Sequence, residues 1–147
     1  MEADIFTKAW RTTYAIISGN VTDPIARGSK WIWGANPMVG SPTDPNLRYP
    51  IIVIEPFTVS DGGFLTFGDD HFEADIGTTI EVHDNSAGSR FDQTCGSLIV
   101  GLKKNAKEFA KSGMDFMFLS GGVYDHIPIS RRNRLHIKSF GLGFKVR

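Results

Sequence analysis

FEADIGTTIEVHDNSAGSRFDQTCGSLIVGLKKNAKEFAKSG, residues 72–113, changes its period halfway, and that change decides the fold class. From Phe72 to Val82 the residues alternate. Phe72, Ala74, Ile76, Thr78, Ile80 and Val82 fall on one side, and Glu73, Asp75, Thr79 and Glu81 on the other, as in an antiparallel strand with one exposed face. From Ser89 the spacing becomes helical. Phe91, Cys95, Leu98, Ile99, Leu102, Ala106, Phe109 and Ala110 form one stripe. Lys103, Lys104, Lys107 and Lys111 lie outside it, near the helix C-terminus, where the backbone dipole favours cations. Ser89 and Asp92 have the spacing of a capping box, and Gly113 stops the helix.

Upstream, YPIIVIEP (49–56) is the plainest strand, with apolar residues at 51–54 between two prolines, as in a strand covered on both faces. Asp61-Gly62-Gly63 reads as a turn between hairpin arms at 57–59 and 64–67. Phe6, Ala9, Trp10, Thr13, Tyr14 and Ile17 predict an amphipathic helix from Asp4 to Ile17, capped by Asp4 and stopped by Gly19. Residues 19–48 form a long Gly- and Pro-rich connection whose one apolar knot is Trp31-Ile32-Trp33. It is either a functional arm or contains a short strand. Downstream, 114–119 and 135–146 predict the closing strands. Leu135 and Ile137 share one parity, while Phe140, Leu142, Phe144 and Val146 share the other, which predicts a bulge or a crossing between two environments near Lys138-Ser139. Gly141 and Gly143 invite close approach by another backbone. The expected fold is a single α+β domain: a mixed, mainly antiparallel sheet with two main helices packed on one face.

The 147 residues suffice for one domain with a real core, since 41% are hydrophobic and eleven are Phe. A lone cysteine excludes an internal disulfide. Met1-Glu2-Ala3-Asp4 does not read as a secretory signal, and no run has the length of a membrane span. Net charge is zero, but residues 1–100 hold 13 acidic and 6 basic side chains, and residues 101–147 hold 3 and 10. If the signs separate in space, one face of a subunit attracts the opposite face of its neighbour.

Catalytic patterns are weak. His71, His83, His126 and His136 make no metal-ligand spacing, and Asp69-Asp70-His71, the densest polar cluster, falls in a predicted turn. Cys95 sits on the apolar stripe, where burial suppresses the thiolate. Gly96 to Lys103 mimics a phosphate loop, but lies inside a helix without free amides. Arg131, Arg132 and Arg134 form a basic patch suited to a solvated loop, to an acidic neighbour, or to phosphates. Glu73, Asp75 and Glu81 are the matching acidic strip. Trp31 and Trp33, on one face if extended, suit either core anchorage or a partner contact.

In the order of its elements the chain resembles the tail terminator proteins of tailed bacteriophages and archaeal viruses. The resemblance is carried by the helix ending at Ile17, the strand YPIIVIEP, the strand ending TIEVHDNS (79–86) that leads into the helix of 89–112, and the closing strand; it excludes 19–48. It implies a virion protein that forms a hexameric ring, capping the tail tube and joining it to the head–tail connector. No catalytic residue, cofactor, metal or membrane is then expected, and nucleic acid enters only as the genome passing through the ring. Trp31, Trp33, Glu73, Asp75, Glu81, Arg131, Arg132 and Arg134 are the candidate subunit-interface residues. The alternatives are a small metal-dependent hydrolase using Asp69, Asp70 and His71, and a nucleic-acid-binding module using Arg131, Arg132 and Arg134.

Overall fold

A computed structural model describes residues 5–24, 31–34, 49–59, 65–67, 72–86, 88–128 and 134–146. Its elements run α1 (Ile5–Asn20), β1 (Ile32–Trp33), β2 (Ile51–Ile54), β3 (Thr58–Val59), β4 (Leu65–Phe67), β5 (Phe72–Asp84), α2 (Ser89–Lys104), α3 (Ala106–Lys111), β6 (Met114–Pro128) and β7 (Arg134–Val146). The sheet order is β1-β2-β5-β7-β6, with β3 and β4 also paired to β5. Among the described strands only the β1–β2 pair is parallel. The expected α+β fold is the one found.

The alternating residues of β5 explain the layering. Ile76, Ile80 and Val82 point, with Ile52 and Ile54 of β2 and the even-numbered residues Phe140 to Val146 of β7, into a core closed by α1, α2 and α3. Phe144 is its aromatic centre, 4.6 Å from the ring of Phe109 in α3 and 5.7 Å edge-on from Phe116. Side chains of this size each contribute about 1.5–3 kcal/mol on full burial.

The hairpin expected around Asp61-Gly62-Gly63 does not form. β3 and β4 pair with β5 rather than with each other, at Thr58↔Gly77 and Leu65↔Ala74. They prolong the edge begun by β2, so three short strands line one side of β5. The turn residues themselves lie outside the described residues. Where β2 ends, the ladder slips by one residue. Thr78 Oγ1 donates to the carbonyl of Glu55 at 2.6 Å, and Trp10 Nε1 donates to that of Ile54 at 3.0 Å, so side chains satisfy both carbonyls.

Of the two alternatives expected near Lys138-Ser139, a bulge or a crossing between two environments, the crossing is found, and β7 pairs with β5 without a slip from Ala74↔Val146 to Asp84↔His136. Phe140 to Val146 face the helices, while Leu135 and Ile137 join Tyr49, Ile51 and Val53 in a small second core on the opposite face. The bulges lie in β6, at 116–118 and 121–123. Gly121 and Gly122, with φ of 150° and 91°, occupy the second. The strand expected over 114–119 therefore runs on through these glycines to Pro128.

The capping box is not used. Gly88 is the N-cap of α2 and makes no side-chain cap bond. The helix start is tied instead to β5: buried Asp84 accepts from Arg90 Nε at 3.0 Å and from Arg90 Nη2. Asn105 divides the predicted single helix into α2 and α3, its Nδ2 donating to the carbonyl of Gly101 at 2.7 Å. Within 19–48, Ile32–Trp33 is the short strand, laid on β2.

Candidate functional site on the open face of the sheet

The face of the sheet turned away from the helices can be laid out from the register. Glu55 just after β2, Thr79 of β5, Gly141 of β7 and Ser120 of β6 lie in one cross-strand row. The next rows hold Val53, Glu81, Ser139 and Val123, then Ile51, His83, Ile137 and Asp125. Glu81 and His83 are thus successive residues on one side of β5, and Glu55 lies beside Glu81. His83 is fully buried, with no hydrogen bond to either ring nitrogen, and its Nε2 is 3.6 Å from Glu81 Oε2. The His83 ring holds the Glu81 carboxyl below its ordinary value. Burial, reinforced by the Glu81 carboxylate, pushes Glu55 up. Two carboxyls so close favour one remaining protonated.

Two glutamates and an imidazole are acid–base groups, yet His83 is closed to solvent and no substrate reaches its nitrogens. No three His, Cys, Asp or Glu among the described residues converge as a metal site. Beside this cluster a groove is lined by Glu55, Pro56, Thr58, Gly77, Phe118 and Gly141. Phe118, re-aimed by the bulge before it, lies over Gly143. The close approach at Gly141 and Gly143 is therefore made by the side chains of Ser120 and Phe118, not by another backbone.

The second feature is the β6–β7 arm. β6 is the outermost strand, and its outer edge pairs with nothing among the described residues. From Ser120 to Pro128 every residue is exposed, including Val123 at 70% and Tyr124 at 48%. The Tyr124 hydroxyl meets His136 Nδ1 at 2.6 Å, and Arg134 Nη1 lies 3.1 Å from His126 Nε2.

The residues singled out in the sequence are scattered across this geometry. Trp31 is in the main core and anchors β1, its carbonyl accepting from Ile52 N at 2.9 Å. Trp33 is on the open face, 40% exposed, opposite Val53. The two rings therefore do not share a face. Asp75 is half-buried and faces Lys145, which Asp115 flanks from β6. Glu81 is half-buried beside His83, and Arg134 is exposed at the start of β7. Glu73 has a β5 backbone, but its side chain, like Asp69, Asp70, His71, Arg131 and Arg132, lies outside the described residues. Cys95 is buried, and desolvation pushes its thiol up to about 11. The acidic first part of the chain and the basic last part pair along β5 and β7, so charge does not separate by chain segment. Glu55, Phe118, Val123 and Ile127 escaped notice as surface residues; the strand period carried through Gly121-Gly122 would have found the last two.

Among the described residues the chain is a two-layer α+β domain whose helices pack on one face of the sheet, while the other face carries the small second core around Ile51 and Leu135. Neither a protein-family profile nor a curated protein matches the chain. No helix among the described residues is long and apolar enough to cross a membrane.

Proposed function

We propose that the chain is a structural subunit of the tail terminator kind that its element order resembles: a noncatalytic virion protein that joins copies of itself into a ring, caps the tail tube and meets the head–tail connector. The observation that carries this reading is the outer edge of β6, unpaired among the described residues. Monomeric proteins blunt exposed edges with lysines, short strands or covering loops. Here a strand of 15 residues has no Lys or Arg, and its distal half exposes Val123, Tyr124 and Ile127. Such an edge accepts another strand, and its apolar side chains add contact area. The two bulges bend it, which suits a curved assembly more than a flat one.

Sedimentation of the wild-type chain and of the double variant Val123→Asp, Ile127→Asp tests this. Both positions are exposed, so the variant keeps its fold, as circular dichroism will record. The reading predicts association of the wild type and a monomeric variant. Undiminished association of the variant would count against the β6 edge as the contact.

A further inference from the structure

The folded chain separates charge by face, although it does not separate it by sequence half. On the helical layer the exposed charged residues of the described helices are Lys8, Arg11, Lys103, Lys104, Lys107 and Lys111 against Asp92 and Glu108. The four lysines cluster around the α2–α3 junction, with Val100, 49% exposed, one turn before Lys103 and Lys104. On the open face of the sheet the balance is reversed. Glu55, Asp75, Glu81, Asp115 and Asp125 stand there against Lys145. Trp33, Phe118, Val123 and Ile127, each at least 40% exposed, lie among these carboxylates. Among the described residues one side of the two-layer sandwich is thus basic, and the opposite side, around the buried second core of Ile51, Val53, Leu135 and Ile137, is acidic with exposed apolar side chains.

We infer that the open sheet face is a docking surface for the helical layer of a second copy of this chain, the lysines around the α2–α3 junction seating against Glu55, Glu81 and Asp125. The inference rests on the ring reading and names its second contact. Complementary faces on opposite sides of one molecule make a heterologous contact, which closes into a ring when the rotation between neighbours allows it. Basic side chains from outside would neutralise the Glu55–Glu81 pair, which has no Lys or Arg partner among the described residues. The apolar side chains supply the contact area, while the charges set orientation and exclude face-matched pairing.

Two charge-reversed variants give the test. In the first, Lys103→Glu, Lys104→Glu and Lys107→Glu make the helical layer acidic. In the second, Glu55→Lys, Thr79→Lys and Asp125→Lys make the open face basic. Each alone then opposes like charges. Mixed, they complement one another at both contacts and alternate. Light scattering and native mass spectrometry at low salt should show association of the wild type weakened about tenfold or more by high salt. Each folded variant should be monomeric, and their mixture should restore assembly in 1:1 composition. If both variants assemble as the wild type does, or the mixture remains monomeric, the face pairing is wrong. If, in addition, Val123→Asp, Ile127→Asp abolishes assembly, the ring reading survives without the face pairing. If the mixture grows into open filaments, the face pairing survives and the closed ring does not.

Discussion

The ring of Phe118 lies where a Cβ on Gly143 would have to be. The two residues face one another across the β6–β7 ladder, and the pairing sets the shape of the open face, because the bulge at 116–118 turns Phe118 over the glycine. Gly143→Ala should cost about 1–3 kcal/mol, the usual result of adding a methyl group where no space exists. Phe118→Ala should remove most of that cost. Urea denaturation of the two single variants and the double variant would show a coupling well above zero; additive effects would mean that the ring is free to move aside.

The tie between Asp84 and Arg90 makes a larger claim on stability. Asp84 has no solvent exposure and also accepts from Ser86 N at 3.2 Å. Arg90→Leu leaves a buried carboxylate without its cation and should cost about 3–5 kcal/mol, against well under 1 kcal/mol for an exposed pair. Chemical denaturation distinguishes these. A loss of only a few tenths would show that the α2 start does not depend on the pair.

The Glu55–Glu81 pair predicts a pH-dependent effect with a definite sign. Glu55 is raised in the folded chain, so its contribution to stability is present below its unfolded pKa and lost as pH rises through the folded value. Glu55→Gln removes a carboxylate that is unfavourable when ionised. The variant should therefore be more stable than the wild type at about pH 8, with the advantage disappearing by about pH 4, where Glu55 is protonated. Glu81 is lowered, and its contribution acts oppositely, being lost as pH falls through its folded value. Thermal melts at both pH values read the difference. A gain that is the same at both would place its origin outside this pair.

Cys95 should behave as a core residue. With its thiol raised by desolvation to about 11, its reaction with a thiol reagent at neutral pH should be limited by opening of the fold and should accelerate in denaturant. Immediate stoichiometric labelling of the native protein would contradict its burial.

Much of the fold was legible wherever one period ran unbroken. The alternation of β5 and the stripe of α2 gave both layers, because burial on one face leaves a residue-by-residue record. β7 carries that record for two faces at once. Leu135 and Ile137 appear out of phase with Phe140 and Phe144 only because two cores lie on opposite faces at different ends of one regular strand. β6 was cut short because glycines punctuate local structure, whereas the ladder to β7 supplies the nonlocal pairing that carries the strand through them. The open face was harder still. Its rows join β2, β5, β7 and β6, and no local pattern records that Glu55 ends beside Glu81 or that Asp125 lies across Ile137 from His83. The charge asymmetry was visible as a number, but its sorting by layer depends on which way each residue points.

Native mass spectrometry of the wild-type chain over a range of concentrations, alone and with a tail tube protein of the kind the proposed function requires, tests the central claim most directly. The account predicts a closed species of fixed subunit number that does not grow with concentration, formed alone or on the tube protein. A chain that stays monomeric throughout, and is indifferent to the tube protein, would contradict it.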